Sequence, residues 1–170
     1  VIGRRRFARD RHGRFRTGLG SNERELLKAL PRQAQELLEV QDPSVQRVFP
    51  VAYPNDEKAE SDYREMMGSN LLQRHQHSLD TLATTADSSS LDEEEIHQWL
   101  DALEVLRLVL GTQLDVSEDI AVVDDSDPRA PQFAVYRYLS MLQGEIIDSL
   151  AEALPGGAGA GVDDEGEQEL

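Results

Sequence analysis

A chain of 170 residues can build one domain around a single core. The absence of cysteine excludes a disulfide framework, a thiolate zinc site and a thiol nucleophile, and apolar runs of only a few residues exclude a membrane span. A formal net charge of −16 argues against nucleic-acid binding over the whole surface, because phosphate backbones are repelled once charges approach within a Debye length of about 8 Å.

That charge is unevenly placed. Residues 1–18 hold seven arginines and Asp10, a local +6, and the remainder of the chain carries −22. In the stretch RRRFARDRHGRFR, Phe7, Phe15, Thr17 and Leu19 share one parity, while Arg4, Arg6, Ala8, Arg14 and Arg16 fall on the opposite face. Asp10-Arg11-His12-Gly13 reads as the turn between two short strands, with Gly13 supplying positive φ. Residues 1–20 are therefore predicted to form a basic β-hairpin arm. An isolated hairpin is marginal in water, so its phenylalanine face should dock on helices and its arginine face point outward. Arg4, Arg5, Arg6, Arg9, Arg14 and Arg16 are the candidate partner-binding residues, for phosphates or an acidic protein surface. The competing account is pairing with the chain's own carboxylates, although exposed ion pairs contribute typically below about 1 kcal/mol each.

Residues 21–154 read as a helical bundle. From an N-cap at Asn22, Leu26, Leu27, Leu30, Ala34, Leu37 and Leu38 keep a helical period to Val40, and Pro31 predicts a kink or the start of a second helix. Three prolines between Gln41 and Pro54 predict an extended loop packed on the bundle. A helix over 55–67 carries Ala59, Tyr63, Met66 and Met67 as its apolar stripe, Gly68-Ser69 reads as a stop and a new cap, and a further helix runs to Ala86. Ser90-x-x-Glu93 is a capping box for the central core helix, with Ile96, Trp99, Leu100, Leu103, Leu106 and Leu110 inward and Gly111 closing it. An acidic loop over 115–131 precedes a last helix from Phe133 to Leu154, and the Gly/Ala/acid tail over 155–170 is predicted to be disordered. The fold class is mainly α: a helical bundle of about five helices with a short N-terminal β-hairpin.

No pattern in the chain supports catalysis. His75 and His77 lie two apart, on roughly opposite sides of a helix, and cannot easily share a metal. Glu94 and His97 form one E-x-x-H, but a di-iron bundle needs a second copy and further carboxylates. Ser78, His77 and Asp80 are sequence neighbours on a helix surface without a nucleophile-elbow pattern. The glycine-rich run from Gly156 follows a helix and lacks phosphate-loop register. The expectation is a protein that is not an enzyme and uses no cofactor and no metal.

Three segments, RVFPVAYPNDEKAESDYREM, LDEEEIHQWLDALEVLRLVLGTQL and FAVYRYLSMLQGEIIDSL, follow the basic RRRF hairpin. Together they resemble an actinobacterial family of unknown function encoded next to the Clp protease adaptor ClpS, some of whose members are described as oxidative-stress transcriptional regulators (AosR-like). The resemblance implies a regulatory binding protein whose partner is a sigma factor or RNA polymerase; the absence of cysteine fits a cytoplasmic location, and the basic arm makes DNA a further candidate partner. The alternative it implies is an interaction module or adaptor partner in Clp proteolysis. The thiol-based sensing proposed for that family does not carry over to a chain without cysteine. Aromatic residues on more than one side of the last helix add a homodimer to the expected partners.

Overall fold

The computed structural model describes residues 5–116 and 126–153. Arg4, positions 117–125 of the acidic loop, Leu154 and the tail lie outside the described residues. In chain order the elements are strands β1 (Phe7–Arg9) and β2 (Phe15–Thr17), helix α1 (Ser21–Glu39), a 3-10 helix (Pro43–Val48), α2 (Glu57–Thr85), β3 (Ser90–Leu91), α3 (Glu93–Gln113) and α4 (Ala130–Glu152). The predicted class, a mainly α bundle with an N-terminal hairpin, is the one observed.

The hairpin pairs Phe7 with Thr17 and Arg9 with Phe15, and Gly13 turns it at φ +80°, a left-handed conformation that residues with a Cβ adopt only under strain. The Asp10 carboxylate accepts the backbone N–H groups of Arg14 and His12 at 3.0 and 2.8 Å, which holds its pKa below the ordinary aspartate value. Phe7, Phe15, Thr17 and Leu19 are all buried, as the alternation requires.

A third strand was not expected. β3 pairs antiparallel with β2, Leu91 opposite Phe15, and Leu91 is fully buried. Because Ser90 is taken into this ladder, the cap of α3 moves two residues on. Asp92 Oδ1 accepts the Glu95 N–H and Glu95 Oε2 accepts the Asp92 N–H, both at 2.8 Å. Asp92→Ala should therefore lower the unfolding free energy by about 1 kcal/mol in urea titration, whereas Ser90→Ala should leave the start of α3 intact.

Two predicted helix breaks are absent, and one predicted loop is partly helical. α1 runs unbroken through a buried Pro31, and its N-cap is Gly20 rather than Asn22, with Glu23 Oε2 accepting the Gly20 N–H at 2.7 Å. α2 is one helix of 29 residues, with Gly68-Ser69 in its interior. The stretch over 41–54 is not all extended, because Asp42 caps a 3-10 helix through the Ser44 N–H at 2.8 Å and Pro43 occupies its first turn.

α1 and α3 end alike. Gln41 and Asp115 adopt φ of 52° and 53°, the Asp42 N–H reaches back to the Leu37 carbonyl at 3.0 Å, and the Val116 N–H to that of Gly111 at 2.8 Å. These are Schellman closures made without glycine. Gly111 sits inside α3 instead of closing it. A Cβ there would stand 3.3 Å from the Tyr136 ring, so the glycine lets α4 approach α3 closely.

The core centres on α3, which buries Ile96, Trp99, Ala102, Leu103, Val105, Leu106 and Val109 against α2, α4 and the 3-10 helix. α2 contributes only its C-terminal part. No residue of that helix before Ser78 is buried, so its first five turns lie at the margin of the bundle.

Candidate functional site

The arm is fastened to the bundle by its arginines. α4 has no basic residue in its own last turn, and the arm supplies two cations to that negative helix end. Arg5 reaches the Glu152 carboxylate at 2.7 Å, and Arg9 donates to the Ala153 carbonyl at 3.1 Å while standing over the Phe15 ring. At the acidic start of α3, Glu93 lies 3.8 Å from Arg9 and Glu95 lies 3.8 Å from Arg14, which also bonds the Ser90 hydroxyl at 3.0 Å.

Arg6 does not point outward. Its carbonyl accepts the Gly18 N–H at 2.6 Å across the hairpin, and its side chain bridges Glu23 of α1 at 2.8 Å and Glu145 of α4 at 2.9 Å. The Tyr138 hydroxyl donates to the same Glu23 oxygen at 3.0 Å. Burial raises the Tyr138 pKa, and the Glu23 charge adds to that rise. Burial also pushes the Glu23 carboxyl up, but the Gly20 N–H, Arg6 and Tyr138 outweigh it and hold the group below its ordinary value.

Of the six candidate arginines, Arg16 is exposed and, among the described residues, forms no ion pair within 4 Å. Arg11 at the turn, outside the original six, is in the same state. Arg4 lies outside the described residues.

The other singled-out side chains do not converge. His75 Nε2 lies 2.9 Å from the Val48 carbonyl and its ring meets Phe49 edge-on, which fastens the 3-10 helix to α2. His77 is exposed. Ser78 is buried and donates to the His75 carbonyl, while Asp80 is exposed on the helix surface. His97 Nδ1 is 2.6 Å from the Glu93 carbonyl, and Glu94 is exposed beside it. Among the described residues no group of three or more histidines and carboxylates is placed to hold a metal ion.

A surface that the sequence did not disclose lies at the opposite end of α1 from the arm. The C-terminal end of α1, the 3-10 helix and the early turns of α2 enclose a groove of about 530 Å³, walled by Leu38, Val45, Phe49, Tyr63, Met67 and Leu72. Gln41, Asp42, Gln46, Arg64 and Ser69 line it as well, and the segments that form it carry exposed apolar side chains outside the lining: Val40 is 73% exposed, Met66 72%, Val51 53% and Tyr53 48%. Its Tyr63 end is braced. Tyr53 meets Tyr63 edge-on at 5.9 Å, and Glu60 accepts the Ala52 and Tyr53 N–H groups at 2.9 and 2.8 Å while pairing with Arg64 at 2.8 Å. Of the Ala59, Tyr63, Met66, Met67 stripe legible in the sequence, Tyr63 and Met67 line an open groove instead of a core, and Met66 is exposed outside it.

Among the described residues no helix is long and apolar enough to cross a membrane. Fold and surfaces together define a helical domain with a fastened basic hairpin at one end and an apolar groove at the other. The chain belongs to the family described as a domain of unknown function (DUF2017), whose profile matches residues 4–150 and so spans the sheet, the groove and most of α4. No curated protein and no solved structure matches it.

Proposed function

We propose that this chain is a non-enzymatic regulatory protein that works by holding another protein, and that its groove, more than its arm, is the working surface. The observation that carries this is the groove walled by Leu38, Val45, Phe49, Tyr63, Met67 and Leu72, together with exposed Val40, Val51, Tyr53 and Met66 on the segments that form it, since contiguous exposed apolar surface is commonly kept for partners. The family resemblance supplies the partner: RNA polymerase or its sigma factor, in a cytoplasmic stress response. Purified polymerase holoenzyme should co-sediment with the intact chain after nuclease treatment, and Met67→Lys should weaken that association more than Arg11→Ser/Arg16→Ser does. Binding of Clp components in place of polymerase would assign the same surface to proteolysis. Binding of neither would remove the reading.

DNA contact through the arm is a second reading, favoured by the exposure of Arg11 and Arg16. Neutralising two phosphates would make log affinity fall against log salt with a slope of about −1.8. An anisotropy titration of duplex DNA at several salt concentrations measures that slope, and the double serine variant should abolish it.

A further inference from the structure

The outer face of α4 has no partner within the chain. We propose that it joins two copies of this protein in a weak antiparallel dimer, about a two-fold axis that passes between Met141 and Gly144.

Spacing and exposure define the face. Ala134, Arg137, Met141, Gly144, Asp148 and Ala151 follow one another at intervals of three and four, and all six are exposed. Such intervals draw one stripe along a helix, the seam by which helices pair, and this stripe lies opposite the Leu139, Leu142 and Ile146 that α4 buries in the bundle. Among the described residues nothing covers it. Ile147, 50% exposed, widens the apolar surface along one edge. The aromatic residues of α4 are engaged elsewhere: Phe133 is buried, Tyr136 lies against Gly111 and Arg107 of α3, and Tyr138 bonds Glu23.

The order of the side chains along the stripe commits it to a second copy. In an antiparallel pair related by a two-fold axis, a residue on one side of the axis meets the residue at the same distance on the other side. Met141 of each copy then meets Gly144 of the other, a long flexible side chain against a position that has none. Arg137 and Asp148 each lie about 8 Å from the axis along the helix, at 1.5 Å per residue, so each arginine meets the other copy's aspartate. Ala134 meets Ala151 at either end, and small side chains there let the helix axes approach toward the lower end of the usual range of about 8–10 Å. A parallel pair would set Arg137 against Arg137 and Asp148 against Asp148, and like charges facing one another are costly.

Both charges are available. Arg137 forms no ion pair among the described residues, and neither does Asp148, whose neighbour across a small cavity, Arg5, is taken by Glu152 at 2.7 Å. Gly144 agrees with this. A glycine inside a helix is unfavourable relative to alanine, and a Cβ here would meet nothing within 4 Å, so packing within the chain does not call for it. From Ala134 to Ala151 the stripe is about 26 Å long, which places a helix pair at the low end of specific interfaces, below about 1,200 Å² in total. The charge of −16 on each copy opposes association as well. The dimer is therefore concentration-dependent and belongs to physiological salt, where repulsion beyond about 8 Å is screened. No residue of α4 lines the groove, so the two surfaces are separate.

Sedimentation equilibrium of the full chain, over a wide concentration series at physiological salt, tests this. The average mass of the wild type should rise toward twice that of the chain. Arg137→Asp alone sets two aspartates against each other twice in every dimer, and Asp148→Arg alone does the same with arginines, so each should weaken self-association at least about tenfold. Mixing the two single variants should restore a dimer, because each then supplies the charge the other lacks. The double exchange Arg137→Asp/Asp148→Arg should restore self-association in one chain. Met141→Lys should weaken it, and mixing with either charge variant should not recover it. All three positions are exposed, so the circular dichroism of every variant should match the wild type, which separates loss of contact from loss of fold. A wild type that stays monomeric throughout, a dimer indifferent to both charge variants, single variants that mixing does not rescue, or a dimer that Met67→Lys in the groove dissolves would each overturn the proposal.

Discussion

Trp99→Ala should cost about 4 kcal/mol of unfolding free energy, the largest loss expected from any single substitution in the chain. Trp99 is fully buried and is the only tryptophan. Its ring meets Phe7 edge-on with centroids 6.0 Å apart, and its indole N–H donates to Thr85 Oγ1 at 2.7 Å. The Thr85 hydroxyl in turn donates to the Thr81 carbonyl at 2.6 Å. One side chain thus joins α3, the C-terminal end of α2 and the sheet. Alanine would leave a cavity where all three meet and remove the donor that Thr85 receives. Trp99→Phe keeps most of the apolar volume and loses the hydrogen bond, so it should cost about half as much. Circular dichroism in urea measures both, since the tryptophan signal disappears with the residue. Domains are stable by about 5–15 kcal/mol in all, so the alanine variant should be close to unfolding at ambient temperature. Amide exchange in β1 and β2 should accelerate in it before exchange in α4 does, because the sheet rests on this ring. Equal loss of protection in all elements would mean that the hairpin and bundle unfold as one unit.

The sequence discloses features of this molecule where neighbours along the chain decide them. Ile96, Trp99, Leu103 and Leu106 recur at helical spacing because a helix in a bundle buries one stripe, and that stripe is the observed core of α3. Phe7, Phe15 and Thr17 alternate for the corresponding reason in a strand. What pairing at a distance decides stays hidden. Two residues, Ser90 and Leu91, have no period of their own, and they become a strand only because β2 offers them a free edge. Once they are a strand, the Ser90 cap is lost and Asp92 takes its place.

Gly68-Ser69 resembles a helix stop locally, yet a glycine ends a helix only where it takes a left-handed conformation, and Gly68 does not. Leu71, Leu72 and Leu79 beyond it continue a stripe that packs on the bundle, and α2 runs straight through. The groove was illegible for a related reason. Its walls come from residues 38–50 and 63–72, and an apolar stripe does not reveal whether anything covers it. The arm's positive charge was plain, whereas the carboxylates that receive it are at positions 23, 93, 95, 145 and 152, which only the fold assembles.

Arg6→Met should cost about 2 kcal/mol, and a second change at Glu145 should recover much of it. Arg6, Glu23 and Glu145 have side chains only 25–29% exposed, so their interactions are screened less than those of a surface pair. When Arg6 is removed, Glu23 keeps the Gly20 N–H and the Tyr138 hydroxyl. Glu145 keeps no comparable partner, since its Oε2 is already buried without a hydrogen bond among the described residues. The uncompensated charge therefore falls on α4, and Glu145→Gln should relieve Arg6→Met where Glu23→Gln should not. The same cluster sets a pH dependence. Glu23 titrates lower in the folded chain than its unfolded value of about 4.3, so as pH falls the unfolded state takes up the proton first. Its contribution is complete above that value and is lost as the pH falls through the lower, folded-state pKa. Urea midpoints measured across this acidic range should fall less steeply for Arg6→Met than for the wild type, because part of what lowers the Glu23 pKa has gone. An unchanged slope would mean that the Gly20 N–H and Tyr138 hold Glu23 without the arginine, and that Arg6 serves Glu145 alone.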